Sequence, residues 1–219
     1  MLTKCTFLSL LLATIFSLSA CGPATVAFPD VNLEAAVREA INKPEGSILP
    51  SDLETLTILN ASERNICDLT GLEYCTNLTV LLLGENQVGN ISPLSSLTKL
   101  TSLSLQENQI SDISPLSSLT KLTNLYLEDN RISDISPLVS LTNLTVLWLG
   151  KNQINDTSPL ASLTELAWLY LWDNRISDIS PLVSLVNLTL LRLEGNPLNS
   201  ESVDVHIPQI WLRGVDVRQ

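Results

Sequence analysis

An α/β solenoid is the fold class this sequence predicts, and three observations predict it. A 22-residue period runs through the chain, with Asn86, Asn108, Asn130, Asn152, Asn174 and Asn196 standing at that interval without a slip. Pro93, Pro115, Pro137, Pro159 and Pro181 keep the same interval. Within each unit the pattern L-x-x-L-x-L, as in Leu100-Thr101-Ser102-Leu103-Ser104-Leu105, alternates apolar with other residues, which marks a strand buried on one face. A fixed period of this size means stacked units that bury their apolar faces against one another. Such a stack grows along one axis, so 219 residues need no division into globular domains.

Taken in order, the chain opens on a targeting segment. Lys4 supplies a positive charge ahead of the apolar run from Phe7 to Leu18, which is too short to span a bilayer comfortably. Leu18-Ser19-Ala20-Cys21-Gly22 follows, and it resembles a bacterial lipoprotein signal with its lipobox. That resemblance implies removal of residues 1–20 as a lipoprotein signal peptide and diacylglycerol on Cys21. It also implies an extracytoplasmic position, at the cell surface or the periplasmic side, held to the membrane by acyl chains. Residues 21–27 are then a tether.

Two helices come next. Leu33, Ala36, Val37, Ala40 and Ile41 share one helical face, Asp30 or Asn32 can cap the start, and Lys43-Pro44 ends it. Ser51-Asp52-Leu53-Glu54 reads as a capping box that opens a second short helix. Neither helix obeys the repeat. Residues 28–55 are therefore expected to form a helical N-terminal cap over the open end of the stack, whose core would otherwise meet water.

Seven units occupy residues 56–198, beginning at Leu56, Leu78, Leu100, Leu122, Leu144, Leu166 and Leu188. The first is irregular, with Ala61 in a leucine place and Arg64 where the asparagine belongs. In each unit a strand precedes the asparagine, whose amide can satisfy turn backbone groups. Ser-Pro-Leu then starts a 3₁₀ or helical turn, with Ser114 as cap and Pro115 in the first turn. Strands of successive units should lie parallel on a concave side, with the turns on the convex side. These units resemble leucine-rich repeats of the 22-residue bacterial type found in internalins, an arc with a parallel concave β-sheet. The resemblance implies a protein-binding scaffold and leaves the partner open.

Beyond Asn196-Pro197-Leu198 the pattern dissolves, and residues 199–219 read as a C-terminal cap. Ser200 to His206 suggests a short helix, Pro208 a break, and Val215-Asp216-Val217 a last strand. Ile207 and Trp211 are expected to cover the final coil, with His206 on the surface. Cys75 stands where later repeats carry Leu97, Leu119 and Leu141, so it should be an apolar filler. Cys67 falls at an outer turn, too far away to favour a disulfide.

Function must be read from positions the repeat leaves free. Inward leucines put the residues between them on the concave face. There the chain carries Asn124, Tyr126 and Glu128, then Val146, Trp148 and Gly150, then Trp168, Tyr170 and Trp172. Five of the seven Trp and Tyr residues fall on these outward places, where random placement would put fewer than one. Clustered exposed aromatics are the usual material of binding hot spots. Tyr126, Glu128, Trp148, Trp168, Tyr170 and Trp172 are therefore the candidate partner-binding residues, for a protein segment first and a glycan second.

Other functions are disfavoured. A net charge of −11 argues against nucleic acid and against electrostatic binding to anionic lipid. One histidine, His206, removes most His-based catalysis and multi-His metal sites. No Ser-His-Asp set, glycine-rich phosphate loop or Cys-His metal spacing appears, so neither an enzyme nor a cofactor is expected. The column Glu63, Glu85, Glu107, Asp129, Lys151 and Asp173 either steers a basic partner or is a solvated rim. A second column, Asp68, Asp112, Asp134, Asp156 and Asp178, is better explained by turn hydrogen bonds than by calcium. The sequence thus reads as a monomeric, non-catalytic surface scaffold. A structural envelope component and a recruitment subunit of an enzyme complex are the alternatives.

Overall fold

The computed structural model describes residues 24–219. In them eight strands form one open parallel sheet, ordered as in the chain. β1 is Ile58–Asn60, β2 Val80–Leu82, β3 Ser102–Ser104, β4 Asn124–Tyr126, β5 Val146–Trp148, β6 Trp168–Tyr170, β7 Leu190–Arg192 and β8 Asp216–Arg218. From β1 to β7 the register is one repeat per step, so that Leu81, Leu103, Leu125 and Leu147 face one another in turn. At ordinary interstrand spacing the sheet is roughly 34 Å long. β8 is the expected last strand, displaced by one residue.

The convex side is built from 3₁₀ turns, Ser92–Ser96, Ser114–Ser118, Ser136–Ser140, Ser158–Ser162 and Ser180–Ser184. Proline sits in the first turn of each, where its missing N–H is not needed. The acceptor at the turn start is not the serine expected. Asp112 Oδ1 accepts the Ser114 N–H at 2.8 Å, and Asp134, Asp156 and Asp178 repeat the bond with Ser136, Ser158 and Ser180. An aspartate two residues upstream reaches the N–H, whereas a serine would have to bond its own backbone. These serine donors, backbone and side chain, hold all four carboxyls below the usual range.

Each coil buries its inward-facing leucines and isoleucines: Leu122, Leu125, Leu127, Ile132, Ile135, Leu138 and Leu141 are typical. Cys75 is buried among them as a thiol rather than half of a disulfide. Burial, aided by the charge of Glu73, pushes that thiol up to about 12.

Polar groups tie coil to coil. Asn108 Oδ1 accepts the Val88 N–H of the preceding coil, while its amide donates to Leu83 O of that coil and to Leu105 O and Gln106 O of its own. Asn130, Asn152 and Asn174 make the same four bonds one coil further on each time. All are buried. Because each asparagine reaches backwards, the first coil needs none. Arg64 takes that place and pairs with Glu39 of the N-terminal cap at 2.7 Å. Two further ladders run outside it: threonine hydroxyls donate to the preceding coil, as Thr123 to Thr101 O, and turn serines do likewise, as Ser118 to Ser95 O.

α1, Val31–Ala40, is capped by Asp30, whose Oδ1 accepts from Asn32 and Leu33. Its Oδ2 accepts the Cys67 and Asp68 N–H groups, which staples the cap to the first coil. Burial alone would raise this carboxyl, yet four backbone donors hold it below the usual range. α2 is Pro50–Leu53, two residues ahead of the expected start. Asp52 bonds back to the Leu49 N–H, so Ser51 is inside the helix rather than its cap. Val26 is buried and its N–H donates to Ile48 O, so packing begins inside the stretch read as tether.

At the other end a π turn, Ser202–His206, runs straight into α3, Ile207–Trp211. The expected break at Pro208 does not occur, because the proline sits in the first turn of α3, where no N–H is required. Ile207, Ile210 and Val215 close the core. Trp211 does not: it is 65% exposed. The inward direction lies between Ile207 and Ile210, which turns Trp211 roughly 70° away at 3.6 residues per turn. His206 is half-buried instead of lying on the surface.

Replacing Asn130 by Ala strips partners from Ile110 N–H and from buried carbonyls, and should cost about 2–4 kcal/mol. Asn143→Ala removes one exposed bond, to Thr120 O, and should cost less than about 1 kcal/mol. Urea denaturation compares them, and equal midpoints would refute the ladder.

Candidate functional site

Strand register turns sequence positions into rows across the concave face. Tyr126 faces Trp148 on the next strand, Trp148 faces Tyr170, and Tyr170 faces Arg192. The rings touch. Tyr126 meets Trp148 edge to face with centroids 5.0 Å apart and planes at 85°, and Trp148 meets Tyr170 at 4.7 Å and 46°. Such pairs stabilise the sheet, typically by about 0.5–1.5 kcal/mol beyond burial.

Just past the strands lies a second row, Gln106, Glu128, Gly150, Trp172 and Glu194, at the same 22-residue interval. Trp172 lies over Gly150, where any Cβ would fall inside the indole. Glycine is required at 150 by this close approach, since without it Trp172 would be displaced. The Trp172 ring also carries the Lys151 ammonium 5.2 Å from its centroid.

The two rows enclose a cleft of about 370 Å³, lined by Glu128, Trp148, Tyr170, Trp172, Arg192 and Glu194. Four of the six predicted residues thus meet in one place. Tyr126 flanks them through its contact with Trp148 and lines a neighbouring hollow with Ser104 and Gln106. Trp168 stands apart on the other outward row, facing Val146 and Leu190, and is 48% exposed. Arg192 and Glu194 were not singled out from the sequence. They are Tyr170 and Trp172 advanced by one repeat, so extending the rows into the last coil would have found them. Cys21 and residues 1–20 lie outside the described residues.

Three polar atoms of the lining are buried and have no hydrogen-bond partner among the described residues: Glu128 Oε2, Trp148 Nε1 and Glu194 Oε2. Glu194 keeps its other oxygen 3.2 Å from Arg192 Nη1. Burial pushes the Glu128 carboxyl up to about 7, with the charges of Glu107 and Asp129 adding to the effect. Along the rim the acidic column has a backbone signature: Glu63, Glu85, Glu107, Asp129, Lys151 and Asp173 all adopt positive φ, between 50° and 58°. Mutual repulsion, from Glu63 first, raises the carboxyl of Glu85.

Sequence comparison matches a family model described as Leucine Rich repeats (2 copies) at residues 76–118, 120–162 and 164–204. No curated protein matches the chain. Among solved structures, internalin C2 of Listeria monocytogenes is 34% identical, with a TM-score of 0.67 over 87% of this chain and 96% of its own. The internalin InlF of the same organism is 32% identical, with a TM-score of 0.60 over 90% of this chain and 71% of its own. A leucine-rich-repeat protein of Leptospira interrogans, at 22% identity and a TM-score of 0.58 over 78% of this chain and 51% of its own, shares the fold.

Glu128 makes folding depend on pH with a definite sign. Its carboxyl lies above its ordinary 4.5 in the folded chain, so stability present below 4.5 is lost as pH rises through about 7. Glu128→Gln should therefore stabilise the protein at about pH 8, by on the order of 1–2 kcal/mol after solvent screening. The gain should vanish near pH 4. Thermal melts at both pH values measure it, and a pH-independent difference would contradict the assignment.

Proposed function

Because the chain belongs to the leucine-rich-repeat family, in its internalin-like class, we propose that it is a non-catalytic scaffold that binds a protein ligand on its concave face. Leucine-rich-repeat proteins are generally protein-interaction scaffolds, and internalin-like proteins are surface or secreted bacterial proteins. The observation that carries the reading is the packed aromatic cleft with buried, unpaired polar atoms in its lining. Polar atoms buried without partners are costly in an isolated molecule, and a ligand that pairs them recovers the loss.

Tyr126, Glu128, Trp148, Trp168, Tyr170 and Trp172 form the binding surface in this proposal. The rings bury large area at little cost in side-chain entropy, and the register holds them rigid before the partner arrives. Trp168, outside the cleft and exposed, extends the contact along the neighbouring row. Cys21 bears the lipid, and the chain acts outside the cytoplasm as a membrane-anchored monomer. The lipobox residues Leu18-Ser19-Ala20-Cys21 support that part. Among the described residues no helix is long and apolar enough to cross a membrane.

A photo-crosslinker at position 168, followed by mass spectrometry, should capture a partner whose binding is lost on replacing Trp148, Trp168 and Trp172 together by Ser. Unchanged binding in that triple variant would overturn the concave-face reading. For the anchor, Cys21→Ser should abolish metabolic labelling with an alkyne fatty acid and move the chain out of the membrane fraction. Retention of the label would refute it.

A further inference from the structure

Resting on the concave-face reading, we propose that the cleft between Trp148, Tyr170 and Trp172 receives an arginine side chain of the protein partner, with Glu128 and Glu194 as its anionic contacts. Four features point to a cation. Glu128 and Glu194 each present a buried oxygen with no partner among the described residues, and each of these oxygens is an acceptor when ionised. Three aromatic rings form the walls, and aromatic faces attract cations. The Trp172 ring already holds one cation, the Lys151 ammonium, so it is electrostatically suited to such a contact.

The fourth feature is the charge around the cleft. Glu107, Asp129 and Asp173 stand on its rim beside Glu128 and Glu194 in its lining, against Lys151 and Arg192, while Arg218 on β8, next to Arg192, is paired with Asp216 at 3.6 Å. Both cations are engaged: Arg192 with Glu194 at 3.2 Å, and Lys151 with Asp129 at 3.5 Å. The field that remains is negative. It draws a basic ligand and gives a neutral glycan no advantage.

Arginine fits better than lysine. Its planar guanidinium stacks on a ring while donating from its edges, so it can meet walls and carboxylates at once. A lysine ammonium is a point charge that cannot lie flat on a ring or donate a parallel pair of bonds to a carboxylate. The remaining orphan, Trp148 Nε1–H, is a donor and suits a backbone carbonyl next to the arginine.

Binding is then coupled to a proton. Burial pushes the Glu128 carboxyl up to about 7, and the titratable and charged groups facing it are Glu107 on the preceding coil, Asp129 beside it, Tyr126 in the neighbouring hollow, and Tyr170, Arg192 and Glu194 in the cleft. A guanidinium favours the ionised form, so its arrival releases the Glu128 proton to solvent. Affinity should fall as pH drops below the Glu128 transition.

The test uses the purified chain, acetyl-Gly-Arg-Gly-amide, its citrulline analogue of the same shape without charge, and chitohexaose, with tryptophan fluorescence as readout. The arginine peptide should bind about tenfold more tightly than the citrulline peptide. Its affinity should drop severalfold from about pH 8 to about pH 6 at constant ionic strength. Glu128→Gln should remove that pH dependence, and Glu194→Gln should weaken binding at both pH values while leaving the dependence in place. Citrulline or chitohexaose binding as tightly as arginine would overturn the proposal, as would no arginine binding up to the peptide's solubility. If either happens while the triple tryptophan variant still loses the crosslinked partner, the arginine proposal alone has failed. If the triple variant keeps its partner, the concave-face reading has failed as well.

Discussion

The structure depends on one interaction, the backward reach of a buried asparagine from each coil into the one before it. A coil of 22 residues with only three extended ones cannot hold its own turn backbone dry and satisfied. The asparagine amide accepts from the preceding coil and donates to it, so a coil is complete only when its successor is stacked upon it. That one-way dependence explains both ends. The first coil needs no asparagine and uses Arg64 against α1, and Asn196 still reaches back to Ile176 and Leu171 although the repeat ends there.

Since the ladder allows no slip, side chains 22 residues apart must stand in line on the concave face. That turns a few aromatic substitutions into a surface. Tyr126, Trp148 and Tyr170 become one row of touching rings, and Trp172 in the adjacent row folds over Gly150. The same geometry lowers local polarity enough to push the Glu128 carboxyl up to about 7. A scaffold that is all repetition thus acquires a distinctive place, where touching rings adjoin buried carboxylate oxygens. Its rigidity comes from the buried leucines and asparagines beneath, so a partner meets a surface already shaped.

Much of this was legible in the sequence. The period, the inward leucines, the parallel strands and the convex turns all follow from spacing, because a solenoid repeats its geometry as faithfully as its residues. The concave residues were legible for the same reason, and four of them do meet in one cleft. What escaped was set by neighbours rather than by period. Asp112 caps a turn that Ser114 was expected to cap, because the bond depends on side-chain reach. Trp211 points to solvent because α3 docks through Ile207 and Ile210, a choice no repeat dictates. Arg192 and Glu194 complete the cleft in the last coil, where the aromatic signal had already faded. Burial of Glu128 depends on rings contributed by later coils, which a single-position reading does not register.

The central claim is that the concave surface carrying Tyr126, Trp148, Trp168, Tyr170 and Trp172 is where this molecule meets its partner. Trp211, exposed at the far end of the solenoid, is a built-in control. Hydroxyl-radical footprinting with and without the crosslinked partner tests the claim most directly. Oxidation of Trp148, Trp168, Tyr170 and Trp172 should fall while that of Trp211 stays constant. Protection of Trp211 with the concave rings unchanged would contradict the account.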